Sequence, residues 1–239
     1  MSSMVRVDLE PAYILHTRPY RETSLILEIF TPDHGRAGLV ARGARRPKSP
    51  LRGILNPFQP LRLSWAGRGE LATLAQAEQG GVSRELRGDA ILAGFYVHEL
   101  LLKLLQRHDP HPQLFGHYAT LIASLSDGQP VEKLLRTFEL ELLREIGYAL
   151  SLDRDALTGE YLKPDRLYVF RPEQGAVPAE HGHAAEVSFS GAELLAIERL
   201  ELDDIDSLRN AKKLLRHVLD YHLGSNLLQT RRVTGAMKR

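Results

Sequence analysis

The chain of 239 residues contains no cysteine, no long hydrophobic run and no recognisable catalytic signature. Without cysteine there is no disulfide, no thiolate nucleophile and no thiolate metal site. No stretch approaches the ~18 consecutive apolar residues of a membrane span, and the first residues lack the apolar centre of a signal peptide. These absences predict a soluble cytoplasmic protein.

Enzyme motifs are missing as well. The sequence has no GxSxG, no HExxH and no paired-carboxylate motif, and it has neither a GxxxxGK[ST] loop nor a strand-coupled GxGxxG. His98, His108, His111 and His117 fall close together, but prolines flank His111 and there is no HExxH-like helical pair. We therefore expect surface histidines, no metal, no cofactor and no catalytic residue.

The chain has many charged residues, although its formal net charge is only +1. Residues 1–80 carry a net +4, residues 81–206 a net −10 and residues 207–239 a net +7. Two basic ends around an acidic middle favour a polyanionic partner such as a nucleic acid.

The first 80 residues have the pattern of short strands separated by turns. Strands are predicted at residues 13–15, 24–30, 36–41, 58–65 and 70–79, with Gly and Pro between them. After residue 83 the apolar residues recur at helical spacing, in residues 84–107, 114–125, 131–146 and 207–223. A capping box at 190–193 opens a further short helix. The sequence thus predicts an α+β protein, with a five-stranded OB-fold β-barrel in residues 1–80 and an α-helical domain in residues 81–239. Residues 150–186 form an irregular insert in that helical domain, with a short strand at 167–170.

A basic segment lies between the third and fourth predicted strands. Eight basic residues and no acidic one occur from Arg36 to Gly69. A flexible cationic loop on a small barrel suits the phosphate backbone, because each cation displaces a condensed counterion. The candidate DNA-binding residues are Arg36, Arg42, Arg45, Arg46, Lys48, Arg52 and Arg62. The alternative is a solvated loop without a partner.

Two further features bear on nucleic-acid binding. Phe58 and Trp65 are expected in the core, so the stacking signal is weak. Near the C-terminus a stripe of cations recurs at helical spacing, and basic residues continue into the tail. The alternatives are an ordinary solvated helix face and a soluble tail. We include the following basic residues among the DNA-binding candidates: Arg209, Lys212, Lys213, Arg216, Arg231 and Arg232.

Residues 18–25 (RPYRETSL), followed by residues 38–46 (GLVARGARR), resemble the RecO family of bacterial DNA repair proteins, also called recombination mediators. Residues 69–74, 138–148 and 222–232 resemble it too. The resemblance implies an OB-fold and a helical domain. It also implies binding of single- and double-stranded DNA and annealing of complementary strands, without catalytic turnover. It also implies RecR and single-stranded-DNA-binding protein as partners, RecA indirectly, and a place in the bacterial cytoplasm with the nucleoid. Its DNA-binding assignment falls on Arg42, Arg45, Arg46, Lys48 and Arg52.

Many members of that family carry a four-cysteine zinc site, which this sequence lacks. Asp155, Thr158, Pro178 and His181 stand where the thiolates would be. Thr and Pro are not realistic zinc ligands, so we predict no bound zinc.

The acidic helical domain is predicted to bind protein partners. The tail of single-stranded-DNA-binding protein is acidic with an apolar tip, which requires a cation beside an apolar pocket. Arg136, with Leu135 and Leu142, is the candidate; the alternative is that Arg136 pairs with Glu132 or Glu139 on its own helix. An RNA-binding OB-fold protein and a metal-dependent nuclease remain alternative functions.

Overall fold

A computed structural model describes residues 5–67, 69–179, 187–224 and 228–231. Five strands come first: β1 (Val5–Tyr20), β2 (Ser24–Thr31), β3 (Gly35–Ala41), β4 (Leu61–Gly67) and β5 (Leu71–Gln79). They close into a barrel in the order β1-β2-β3-β5-β4, with β3 and β5 parallel and the other pairs antiparallel. The predicted five-stranded OB-fold is therefore confirmed.

β1 is much longer than the predicted strand at residues 13–15. Its register shifts between Val7 and Glu10 against β4, and between Ile14 and His16 against β2. Such irregularities bend a strand, which lets β1 pair with both neighbours along its length. The polar stretch from Thr17 continues the strand to Tyr20 because β2 supplies the hydrogen-bonding ladder there.

Aliphatic side chains fill the barrel, and aromatic rings are buried with them. Ile14, Leu27, Leu39 and Leu63 are fully buried in one core cluster. Trp65 is buried with them, and Phe58 is buried just before β4 with a positive φ of 66°. The expectation that both rings belong to the core is confirmed.

Two helices, α1 (Asp89–Leu104) and α2 (Pro112–Ser126), pack with the barrel. The ring of Tyr118 on α2 lies 4.9 Å from that of Tyr13, and the ring of Phe115 lies 5.5 Å from that of Phe30.

α1 begins later than predicted. The Gln59 side chain holds the residues before it, accepting from the Arg84 N–H at 3.1 Å and donating to the Arg84 carbonyl.

The described residues up to Gln129, together with those from Leu228 onward, form one compact unit, and those between form a second. Strands give way to helices near residue 81, as the pattern predicts, but packing assigns α1 and α2 to the barrel unit. The compact units therefore divide about 50 residues later than the change of element type.

The second unit contains three helices and a small sheet. The helices are α3 (Val131–Glu145), α4 (Gly191–Glu198) and α5 (Ile205–Leu223). The insert holds β6 (Leu167–Arg171) and β7 (Gly175–Pro178), which form a sheet with β8 (Ser188–Ser190) in the order β7-β6-β8. The predicted capping box is present: Ser190 Oγ accepts from the Glu193 N–H at 3.2 Å, and Glu193 Oε2 accepts from the Ser190 N–H at 2.7 Å.

Candidate nucleic-acid interface

The basic segment between β3 and β4 is folded into turns. Gly43 adopts a positive φ of 67°, and its carbonyl accepts from the Arg46 N–H at 3.1 Å. The Ser49 N–H donates to the Arg46 carbonyl at 3.0 Å, and a 3₁₀ helix follows at Pro50–Gly53. Ala44 and Leu55 are buried in the barrel core cluster. The expectation of a flexible loop is thus corrected to a segment packed on the barrel at two points.

The cations of this segment are all exposed. Within the described part of the chain, the side chains of four of them have neither a hydrogen-bond nor an ion-pair partner: Arg42, Arg46, Lys48 and Arg52. Arg45 Nη1 donates to the Arg21 carbonyl at 3.4 Å. Like charges on one short segment repel one another when no carboxylate pairs with them, and a polyanion would relieve that repulsion.

The turn between β1 and β2 lies against the basic segment. The Arg45 N–H donates to the Thr23 carbonyl at 2.8 Å, which joins the two loops. Exposed Arg18 and Arg21 thereby extend the positive surface, alongside one exposed carboxylate, Glu22. We call this surface the cationic rim: Arg18, Arg21, Arg42, Arg45, Arg46, Lys48 and Arg52. Arg18 and Arg21 were not among the DNA-binding residues predicted from the sequence, although the first loop of an OB-fold often binds ligands.

Two other basic residues of the stretch, Arg36 and Arg62, lie away from this rim. Arg36 Nη1 donates to the Leu102 carbonyl of α1. Burial lowers the pKa of the Arg36 guanidinium below its ordinary value, although Glu28 opposes this. Arg36 thus lies between barrel and helix and is not part of the cationic rim. Arg62 is exposed on β4 opposite Glu78 of β5, and Arg68 lies outside the described residues.

The predicted stripe on α5 exists, but its cations have partners within the second unit. Leu214, Leu215 and Val218 are fully buried on the opposite face, as predicted. The pairs are Arg209 with Asp206 at 2.6 Å, Lys212 with Glu132 at 2.8 Å and Arg216 with Asp220 at 3.6 Å. Lys213 Nζ donates to the Ser188 carbonyl at 3.1 Å and lies over the Phe189 ring. A phosphate would have to compete with these partners.

The C-terminal candidates divide between described and undescribed residues. The guanidinium of Arg231 lies 5.7 Å from the ring centre of Tyr96 on α1. Arg232 lies outside the described residues. Arg231 thus belongs to the barrel unit, although it lies about 180 residues after the cationic rim in sequence.

The predicted partner pocket on α3 is closed. Leu135, Arg136 and Leu142 are all buried, and Arg136 Nη2 donates to Glu139 Oε1 at 2.9 Å. The arrangement present is the alternative in which Arg136 pairs on its own helix. A peptide carboxylate from outside does not reach this guanidinium in this conformation.

One histidine departs from the surface placement expected of it. His98 is only 2% exposed, and its Nε2 lies 2.6 Å from the Tyr118 hydroxyl oxygen. Burial lowers the pKa of His98 to about 3. Across the ranges described above, no group of three or more His, Cys, Asp or Glu residues could hold a metal ion.

The described part of the insert also lacks a donor set that fits zinc. Asp155 Oδ1 accepts from the backbone N–H groups of Leu157 at 2.9 Å and Thr158 at 3.4 Å, so this carboxylate organises a turn. Pro178 has no side-chain donor atom, and His181 lies outside the described residues. The residues present therefore do not make the tetrahedral nitrogen and sulfur set that structural zinc requires.

Comparison with known proteins gives the family. The model for the N-terminal part of recombination protein O matches residues 4–80, and the model for its C-terminal part matches residues 86–231. The chain belongs to the RecO family. It is 44% identical over 236 residues to DNA repair protein RecO of Dechloromonas aromatica, covering 98% of this chain and 97% of that one. It is 46% identical to the proteins of that name from Ralstonia nicotianae, over 95% of this chain and 84% of the relative, and from Methylococcus capsulatus, over 95% and 92%. The RecO family is one of DNA repair and recombination.

None of the described helices is long and apolar enough to cross a membrane. The residues that carried the resemblance to the RecO family include both loops of the cationic rim.

Proposed function

We propose that this RecO family member is a DNA-binding recombination mediator that binds single-stranded DNA along its cationic rim and anneals complementary strands. The observation that carries the proposal is the set of exposed cations without carboxylate partners on the OB-fold barrel. Each cation that meets a phosphate releases a condensed counterion, so binding gains free energy without any base contact.

Annealing follows from the same electrostatics. Two complementary strands repel one another through their phosphates, and a cationic surface lowers that repulsion while the bases pair. Phosphate contacts position a strand and carry no sequence information, so Watson–Crick pairing supplies the specificity. Half-buried Ser49 and the backbone amides of the turns can add neutral phosphate contacts.

Family membership supports the proposed partners. These are single- and double-stranded DNA, RecR, single-stranded-DNA-binding protein and, through them, the recombinase RecA, which the mediator helps to load. The second unit has more acidic than basic residues, so we assign protein contacts to it and DNA contacts to the barrel unit. No chemical step is proposed for the protein.

The test measures DNA binding by a variant of the cationic rim over a series of salt concentrations. Arg45→Glu/Arg46→Glu should weaken binding of a fluorescent single-stranded oligonucleotide at least about tenfold at low salt. It should also reduce the slope of log Kd against log salt by about 1.4, the value for two phosphate contacts on a single strand.

The matched control is Arg209→Glu/Arg216→Glu, which changes the net charge equally at exposed cations that already have carboxylate partners. It should keep Kd within about twofold and leave the slope unchanged. Unchanged affinity and slope in the Arg45/Arg46 variant would contradict the rim as the DNA site. Competition between this DNA and an RNA of equal length tests the alternative of an RNA-binding OB-fold protein, for which the RNA would displace the DNA.

A further inference from the structure

One aromatic ring of the barrel has no place in its core. Residues 1–80 contain five aromatic residues. Four of them, Tyr13, Phe30, Phe58 and Trp65, are buried. The fifth, Tyr20, is only half-buried. Its ring is therefore the one in the barrel that solvent reaches.

Tyr20 lies next to the cationic rim. It is the last residue of β1, opposite Ser24 at the start of β2. The residues that follow it, Arg21 and Thr23, are those whose carbonyls accept hydrogen bonds from Arg45. The ring thus lies at the junction of the two loops that carry the unpartnered cations.

In the described structure, one cationic group lies near the Tyr20 ring. The Arg21 guanidinium lies 5.2 Å from the centre of the Tyr20 ring. In the ranges described, no other aromatic ring contacts Tyr20 and its hydroxyl has no hydrogen-bond partner. A tyrosine that contributes neither to the core nor to a polar network is available for a ligand.

We propose that Tyr20 is a stacking platform for an unpaired base, with Arg21 beside it as a second planar group. This rests on the proposed function, which brings the phosphates to the rim, and it adds a contact to the bases. Unpaired bases stack on aromatic rings and on guanidinium planes, and they do so without sequence preference. A duplex keeps its base faces covered by stacking, so Tyr20 favours single strands over double strands.

The experiment compares three probes of equal length: a thymidine oligonucleotide, an abasic oligonucleotide and a duplex. Tyr20→Leu should lower affinity for the thymidine oligonucleotide about tenfold, while Tyr20→Phe keeps it within about twofold. The abasic strand and the duplex should bind both variants as they bind the wild type. Arg46→Gln, which removes a phosphate contact, should weaken all three probes.

Tyr20→Trp gives an independent readout. The chain has a single tryptophan, Trp65, which is buried. A tryptophan at position 20 should be quenched by the thymidine oligonucleotide and not by the abasic one.

Equal losses on thymidine and abasic strands, or no loss with Tyr20→Leu, overturn the stacking site. The weakening by Arg46→Gln would then still support the rim. Failure of the wild type to bind any of the three probes overturns both proposals.

Discussion

His98 shows at the scale of one residue how burial changes a side chain's chemistry. Its imidazole lies among Phe58, Phe95 and Tyr118, with ring centres 4.6 Å, 6.0 Å and 5.7 Å away. Burial disfavours the charged form, which lowers the pKa of His98 to about 3 and raises that of Tyr118 well above its ordinary value. The imidazole is therefore neutral at physiological pH.

This neutral histidine should make the protein less stable in mild acid. Its pKa falls from 6.5 in the unfolded chain to about 3 in the folded one. Its contribution is thus complete above pH 6.5 and is lost as pH falls toward 3. Between pH 7 and pH 5 it removes about 2 kcal/mol of the free energy of unfolding. Denaturant titrations should show that His98→Phe loses this part of the pH dependence.

The control is His117→Gln, which replaces an exposed imidazole of the same unit and should keep the wild-type pH dependence. Parallel curves for the wild type and His98→Phe would contradict the assignment.

Burial of single residues was the part that the sequence predicted least well. His98 was expected at the surface, but it is buried. Arg136 was the candidate cation of a partner pocket, with pairing on its own helix as the alternative, and it is buried in that pair. Their local sequence has ordinary helical spacing, and burial depends on which element packs over them. Phe58 and Trp65 were placed correctly because large rings in a barrel of this size have few positions outside its core.

At the scale of elements, the carboxylate of Glu99 binds residues 229 and 230 to α1. Glu99 accepts from the Gln229 N–H at 2.8 Å and from the Thr230 N–H at 2.9 Å, and the Thr230 hydroxyl donates to it at 2.8 Å. Burial alone would raise the pKa of Glu99, but these hydrogen bonds outweigh it and the pKa is lowered. Leu228 is buried beside this contact.

Glu99→Ala should release residues 228–231 from α1. Hydrogen exchange at the amides of residues 229 and 230 is expected to accelerate at least tenfold at pH 7, since both lose their acceptor. In the wild type the protection is present above pH 4.5 and is lost as pH falls through the lowered pKa of Glu99.

Glu85→Ala serves as the comparison, because Glu85 is an exposed carboxylate that pairs with Arg87. It should leave the exchange of residues 229 and 230 unchanged. Equal exchange in the wild type and Glu99→Ala would show that Glu99 does not hold the segment.

Elements were predicted better than their ends. Periodicity identified the five barrel strands and the long helices. The ends depend on side chains that bond to the backbone, such as Gln59 before α1 and Asp204, which accepts from the Ser207 N–H at 2.9 Å and starts α5 at Ile205. The basic segment was located correctly, but its link to Thr23 joins residues far apart in sequence, which periodicity does not report.

At the scale of the whole molecule, the two compact units carry opposite charge. Residues 1–129 with 228–239 contain 19 basic and 12 acidic residues, and residues 130–227 contain 12 basic and 18 acidic residues. The barrel unit therefore has a net charge of +7 and the second unit −6. The sequence predicted two basic ends, but it did not show that the α5 stripe belongs to the acidic unit.

Strand annealing should follow the charge of the barrel unit. With complementary labelled oligonucleotides, annealing is expected to accelerate at about 50 mM salt and to fall steeply by about 200 mM, as counterion release requires. Annealing is still expected when single-stranded-DNA-binding protein is added, because that protein is a proposed partner.

The charge-matched variants provide the internal comparison. Arg209→Glu/Arg216→Glu should anneal like the wild type, and Arg45→Glu/Arg46→Glu should not accelerate annealing. Annealing that does not change with salt would argue against an electrostatic mechanism.

The bond between Glu99 and Gln229 joins residues 130 apart, with the whole second unit in the intervening chain. A translating ribosome therefore makes the barrel, α1 and all of the second unit before it makes the segment that Glu99 holds. Until then the Glu99 carboxylate of the nascent barrel unit lacks these hydrogen-bond donors, and Leu228 is not yet buried against the unit. The order of synthesis thus makes docking of this segment a late step in the assembly of the barrel unit.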